Sequence, residues 1–225
     1  MPEFKSEKAI VLGAKALGEN AFVLSLLTCE NGRHLGVIKR KNPPQIGDIV
    51  QARWSARLAD QMGTFYIENM HTTAALFLDD IGRLNCLSSL CELLNTTLPE
   101  RQSFQILYEK VLLFLNNLSD EDYLTHYVLL EKDLLAALGF ALDLSGCAGG
   151  GDHNDLAYVS PKTGRAVSRE KGLPYHKQLL PLPRFLWQNV PADSKQIQMG
   201  LNLLGYFLRQ HTLNGFLPNG RQFLK

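Results

Sequence analysis

Long hydrophobic runs are missing from this chain of 225 residues. Its longest apolar stretches without charge, Leu134–Leu142 and Gln196–Leu208, are shorter than the roughly 18–20 residues that cross a bilayer. We therefore expect no membrane span. The first residues, MPEFKSEKAIV, contain no long apolar run and no small-residue cleavage site, so we also expect no secretory signal peptide.

Cysteine is scarce, and its spacing is not that of a metal or redox motif. The four cysteines form no CxxC pair: Cys29, Cys86, Cys91 and Cys147. This pattern indicates reduced thiols in the cytoplasm. The composition, 45% hydrophobic and 20% charged, excludes a disordered or fibrous chain and is typical of a globular one.

Catalytic motifs are also missing. The run Gly149–Gly151 lacks the GK[ST] ending of a phosphate-binding loop. Asp152, His153 and Asp155 offer one imidazole and two carboxylates, with no HExxH motif and no second histidine nearby. We predict that the protein is not an enzyme and holds no metal or cofactor. An enzyme that uses the His153 loop stays open as an alternative.

Charge is balanced over the whole chain but not along it. Residues 1–70 carry a net charge of +2, residues 71–143 carry −7, and residues 144–225 carry +6. The two basic ends suggest a polyanionic partner such as nucleic acid, although a solvated charged surface explains the same asymmetry.

The first seventy residues have the pattern of short strands separated by turn residues. Five strands are predicted: Lys8–Ala16, Ala21–Thr28, His34–Lys39, Asp48–Arg57 and Thr64–Met70. Asn31-Gly32 is typical of a tight hairpin, because both residues tolerate positive φ. Without a helical crossover, the strands predict a small antiparallel β-barrel, with the OB-fold as the leading candidate, over residues 1–72.

From residue 73 to residue 225 the apolar period changes to that of helices, which makes the chain an α+β multidomain protein. Helices are predicted at Asp79–Leu94, Phe104–Leu115, Asp122–Leu138 and about Ser194–His211. Glu131 interrupts the apolar face of the third helix, and we interpret it as a solvated edge. The segment 144–183 loses periodicity and is expected to contain short strands or a former metal knuckle.

Cations at the end of the third strand are the first candidate binding residues. Lys39, Arg40 and Lys41 are consecutive on a barrel loop and can meet successive backbone phosphates. Arg53 and Arg57 share a parity on the next strand, and Phe65 and Tyr66 are aromatics available beside them, although aromatics at strand spacing are usually core. The alternative is a charged loop that only maintains solubility.

Several stretches resemble the RecO family of bacterial recombination mediators. The N-terminal part carries KAIVLGAKALGEN followed by FVLSLLTCENGRHLGVIKR. The most specific stretch is LDLSGCAGGGDHNDLAYVSPKTGRAVS, from Leu142 to Ser168, and LLPLPRFL follows it at Leu179–Leu186. The resemblance extends along nearly the whole chain, and none of these motifs is catalytic.

The resemblance implies an OB-fold followed by an α-helical domain, binding of single- and double-stranded DNA, and annealing of complementary strands. It also implies contact with RecR and with the single-stranded DNA-binding protein, so that RecA is loaded on coated strands in the cytoplasm, at the nucleoid. Many members carry zinc on two CxxC pairs. Here Cys147 is retained, while Gly150, Ser168 and Lys171 occupy the other positions, which predicts a degenerate, metal-free knuckle.

On this reading, the DNA-binding surface comprises Arg33, Lys39, Arg40, Lys41, Arg53 and Arg57. The acidic, apolar-ended tail of the single-stranded DNA-binding protein requires an apolar pocket with a cationic rim, for which Lys177, Arg184 and Arg209 are candidates. A protein-interaction adaptor built on a barrel that never touches DNA is the alternative function.

Overall fold

The computed structural model describes residues 3–58, 61–212, 215 and 217–224. The described residues group into two compact units, one formed by residues 1–120 with 218–224 and the other by residues 121–217. None of the helices in these ranges is long and apolar enough to cross a membrane.

The first unit begins with five strands that close into a barrel in the order β1-β2-β3-β5-β4. Their bounds are β1 Glu3–Ala16, β2 Ala21–Thr28, β3 Gly32–Lys39, β4 Ile49–Ser55 and β5 Gly63–His71. The predicted barrel is confirmed and agrees with an OB-fold. The prediction of an antiparallel barrel is correct for the other strand pairs and wrong for β3 and β5, which run parallel where Gly36 faces Gly63 and Val37 faces Thr64.

The hairpin between β2 and β3 forms at the predicted Asn31-Gly32 turn. Gly32 has φ of 68°, in the left-handed region that favours glycine. The Thr28 hydroxyl closes the turn by donating to the carbonyl of Gly32 at 3.2 Å and accepting from the N–H of Asn31 at 3.2 Å.

Alternation along the strands separates the barrel core from its outer surface. Inward side chains include Val50, Ala52 and Trp54 of β4 and Phe65 of β5, all buried. The Trp54 indole N–H donates to the carbonyl of Leu35 at 3.1 Å, which satisfies its only polar group. The predicted two-faced character of the fourth strand is therefore confirmed.

Two helices, α1 (Ile81–Thr97) and α2 (Gln105–Asn116), belong to the same unit as the barrel. The Tyr108 hydroxyl of α2 donates to the carbonyl of Lys8 on β1 at 2.9 Å. Grouping by contacts thus divides the chain after residue 120. The expected division, into a barrel of residues 1–72 and a helical domain of residues 73–225, was based on the change of secondary structure instead.

The described residues of the second unit form three helices, α3 (Tyr123–Ala137), α4 (Arg169–Gly172) and α5 (Ser194–His211), and a small sheet. The sheet has the order β7-β6-β8, with β6 at Leu156–Val159, β7 at Ala166–Ser168 and β8 at Leu180–Pro181. The short strands expected within 144–183 are therefore present. Single 3₁₀ turns occur in the two units at Ala74–Phe77, His153–Asp155, Leu173–Tyr175, Arg184–Leu186 and Asn219–Phe223.

Helices α3 and α5 pack closely in this second unit. A Cβ at Gly200 of α5 would lie 2.9 Å from Val128 of α3 and 2.9 Å from Phe185. Glu131 of α3 is only 1% exposed. The interpretation of Glu131 as a solvated edge is therefore wrong, because the apolar face that carries it is covered.

His34 is a buried titratable group at the core of the barrel. It is 7% exposed and meets Phe4 and Trp54 edge-on, with ring centroids 5.3 and 5.2 Å away. Burial lowers the pKa of His34 below its usual 6.5, and the nearby Arg101 charge lowers it further, while Glu100 opposes the shift. The folded chain therefore resists protonation of this imidazole.

We predict that the barrel loses stability as the pH falls below about 6.5, because the unfolded chain then takes up a proton at His34 that the folded chain resists. The loss is at most about 1.4 kcal/mol per pH unit for this one group. Urea unfolding at pH 7.5 and 5.5 measures it, and the His34→Gln variant should show a weaker pH dependence. The His153→Gln control, at a side chain 72% exposed, should behave as the native protein. Equal pH dependence in His34→Gln and the native protein would contradict the account.

Candidate nucleic-acid interface

The cationic run Lys39–Lys41 lies at the end of β3, and all three side chains are exposed. The loop that follows is attached to β1 by two backbone bonds, from the N–H of Gly47 to the carbonyl of Val11 at 2.8 Å and from the N–H of Val11 to the carbonyl of Asp48 at 2.9 Å. These bonds attach the end of the loop, just before β4, to β1.

Asp48 stabilises the same loop from inside. Its carboxylate is 1% exposed and accepts the N–H of Gln45 at 2.8 Å. Burial raises the pKa of Asp48, while hydrogen bonds to its oxygens act in the opposite direction. This carboxylate is turned inward, so it does not neutralise the exposed cations of the run.

Arg53 and Tyr66 form an exposed pair on the outer face of the barrel. They are register partners on β4 and β5, and the Arg53 guanidinium lies 4.9 Å from the centroid of the Tyr66 ring. Tyr66 is 55% exposed, whereas its neighbour Phe65 is buried. Arg57, two residues after the end of β4, is also exposed.

The strand order brings Lys39 and Arg53 to neighbouring parts of one surface. Strands β3, β5 and β4 are consecutive in the barrel. The last paired residues of β3 and β5 are Val37 and Thr64. Lys39 and Tyr66 each follow two residues later. Because side chains alternate along a strand, both point outward as Val37 and Thr64 do. We call the outward residues Lys39, Arg53 and Tyr66, together with Arg40, Lys41 and Arg57, the cationic face.

Arg33 lies at the other end of β3 and contacts the segment after α1. Its Nε donates to the carbonyl of Leu98 at 2.8 Å, and its Nη2 lies 3.5 Å from the Glu100 carboxylate. Its charge is thus engaged in holding the segment after α1 against the barrel. The role of Arg33 in DNA binding stays a prediction, and this geometry favours a structural role.

Tyr66 is the residue that sequence reasoning left undecided. The signal was present in the alternation on β5, where polar Thr64 and Glu68 share the parity of Tyr66, and apolar Phe65 and Ile67 share the other. This parity places Tyr66 outward and Phe65 inward, as the burial shows.

Lys177, Arg184 and Arg209 are all exposed in the second unit, and each lies on a different element. Lys177 follows the turn at Leu173–Tyr175, Arg184 opens the turn Arg184–Leu186, and Arg209 lies in the last turn of α5. A cavity of about 660 Å³ is lined by Phe185, Leu186 and Trp187 among others. Arg184 directly precedes Phe185, which lines this cavity. Its lining does not include Lys177, Arg184 or Arg209.

The degenerate knuckle proposed at Cys147, Gly150, Ser168 and Lys171 has only one thiol, and a zinc knuckle is not supported. The Ser168 N–H donates to the Cys147 Sγ at 3.1 Å, and the Ser168 hydroxyl lies 3.4 Å from the same sulfur. Burial raises the pKa of Cys147, but hydrogen bonds from Ser168, Gly151 and Gly149 outweigh it and lower the pKa to about 7.

We predict that Ser168→Ala raises the pKa of Cys147 above about 7, because one of the hydrogen bonds that stabilises the thiolate is lost. The pH profile of iodoacetamide labelling, followed on the Cys147 peptide by mass spectrometry, measures this pKa. Ser145→Ala, in the same segment but bonded to Asp143, should leave it unchanged. An unshifted profile in Ser168→Ala would show that the hydroxyl contributes nothing to the thiol.

Comparison with known proteins yields consistent matches. A family model described as "Recombination protein O C terminal" matches residues 78–218. The chain is 42% identical to the DNA repair protein RecO of Rhodospirillum rubrum, with 96% of this chain and 90% of that protein covered. It is 42% identical to the RecO protein of Rhodospirillum centenum, covering 92% and 86%, and 34% identical to that of Ehrlichia chaffeensis, covering 92% and 89%.

Proposed function

The chain belongs to the RecO family of DNA repair proteins, and from this premise we propose that it is a recombination mediator that binds DNA through its barrel. The observation that carries the proposal is the cationic face, whose Lys39, Arg40, Lys41, Arg53 and Arg57 are all exposed on or just after β3 and β4, the two strands that flank β5. OB-folds that bind oligonucleotides use, among other parts, the loop after β4, and Arg57 lies in that loop.

Annealing requires no bond chemistry, which agrees with a protein that is not an enzyme. Two DNA strands repel each other through their phosphates, and lysine and arginine side chains that neutralise phosphates reduce this repulsion. Contacts to phosphates leave the base edges free to pair. Exposed cations on one face of a small barrel are therefore suited to holding a strand while its bases search for partners.

Membership of the family supports a proposal about partners and location. We propose that the protein acts in the cytoplasm with RecR and with the single-stranded DNA-binding protein, and helps load the recombinase on coated strands. The cavity beside Phe185 and Trp187 has a mixed lining, with apolar side chains next to Lys132 and Asp122, and Arg184 directly precedes Phe185 in the sequence. This makes Arg184 a better candidate than Lys177 or Arg209 for the rim that meets an acidic, apolar-ended tail.

The salt dependence of DNA binding tests the proposal. Each phosphate neutralised on a single strand contributes about 0.7 to the slope of log K against log salt. We predict a steep slope for the native protein with a fluorescent single-stranded oligonucleotide. Replacing Lys39, Arg40 and Lys41 together by alanine should lower the slope by up to about 2, because up to three phosphate contacts are lost.

The matched control removes the same charge from the other unit, as the triple variant Lys177→Ala, Arg184→Ala and Arg209→Ala. Its salt slope should equal that of the native protein. If the native protein binds no oligonucleotide at low salt, direct DNA contact is excluded and the protein-interaction adaptor becomes the working function.

A further inference from the structure

The outer face of β2 and β3 contains no aromatic ring. Inward residues of these strands include Leu24, Leu26 and Ile38. The outward residues are therefore of the opposite parity: Val23, Ser25 and Leu27 on β2, of which Ser25 and Leu27 are buried, and Arg33, Leu35, Val37 and Lys39 on β3. All seven lie in the described part of the chain. A base that stacks on this barrel cannot do so on the β2–β3 face.

Tyr66, one strand further on, is a ring suited to stacking. Tyr66 is 55% exposed to solvent, whereas its neighbour Phe65 is buried in the barrel core. Arg53 lies over the ring at 4.9 Å and orients it by a cation–π contact. An ordered, exposed aromatic ring loses little conformational freedom when a base stacks on it.

Cations are placed on both sides of this ring. Lys39 ends β3, which pairs with β5 at Gly36–Gly63 and Val37–Thr64, and Arg53 is the partner of Tyr66 on β4, at the other side of β5. A base stacked on Tyr66 thus has a cation within reach of the phosphate on either side. Glu68, the next outward residue on β5, repels phosphate and limits the site in that direction.

We infer that Tyr66 is a stacking platform for one unpaired base and makes the cationic face prefer single-stranded over double-stranded DNA. Bases of a duplex are already stacked on both faces and cannot reach the ring, whereas the cations attract the phosphates of both forms. The inference rests on the proposed DNA binding and adds to it a residue that distinguishes single-stranded from double-stranded DNA.

The test compares Tyr66→Ala, Tyr66→Phe and the native protein on a fluorescent oligo(dT) and on a duplex of equal length. Tyr66→Ala should weaken binding to oligo(dT) about fivefold or more, because stacking on one base is lost. It should leave duplex affinity and the salt slope unchanged, because no phosphate contact is removed. Tyr66→Phe keeps the ring and should bind oligo(dT) like the native protein.

Tyr175→Ala is the matched control, since Tyr175 is a 59% exposed tyrosine in the second unit. It should change neither affinity. Native affinity for oligo(dT) in Tyr66→Ala overturns the stacking role, and so does an equal loss on both DNA forms. Either result leaves the proposed DNA binding in place if the native salt slope remains steep, whereas absence of binding by the native protein overturns both.

Discussion

The barrel closes where two glycines face each other, Gly36 on β3 and Gly63 on β5. A Cβ at Gly36 would lie 2.6 Å from the ring of Phe65, and a Cβ at Gly63 would overlap the indole of Trp54. Only residues without side chains allow β3 and β5 to approach over these two rings. The large aromatic core and the parallel closing pair therefore depend on each other.

This closure decides which charges share a surface. Because β5 lies between β3 and β4, the cations at the end of β3 come next to Arg53 and Tyr66, which are distant in the sequence from Lys39. At the other end of β3, Arg33 holds the segment after α1, since it contacts the carbonyl of Leu98 and the Glu100 carboxylate. One strand thus carries the proposed DNA-binding cations at one end and the anchoring Arg33 at the other.

Local features of the barrel were accessible from the sequence. The strand pattern, the Asn31-Gly32 turn and the two-faced β4 depend on neighbouring residues and were predicted. The parallel closing pair was not, because it joins residues 36 and 63 through packing that no local pattern records. For the same reason the attachment of α1 and α2 to the barrel, through contacts such as Tyr108 with Lys8, was missed. Glu131 was misjudged because burial depends on what covers a helix face and not on the residue alone.

Amide hydrogen exchange of the full chain with and without a single-stranded oligonucleotide tests the central claim most directly, since it locates the bound strand without any substitution. The account predicts increased protection in peptides that contain Lys39–Lys41, Arg53–Arg57 and Thr64–Tyr66. It predicts no change in peptides that contain Leu98–Glu100, which bind Arg33 at the opposite end of β3. Protection confined to the second unit, with the barrel peptides unchanged, would contradict it.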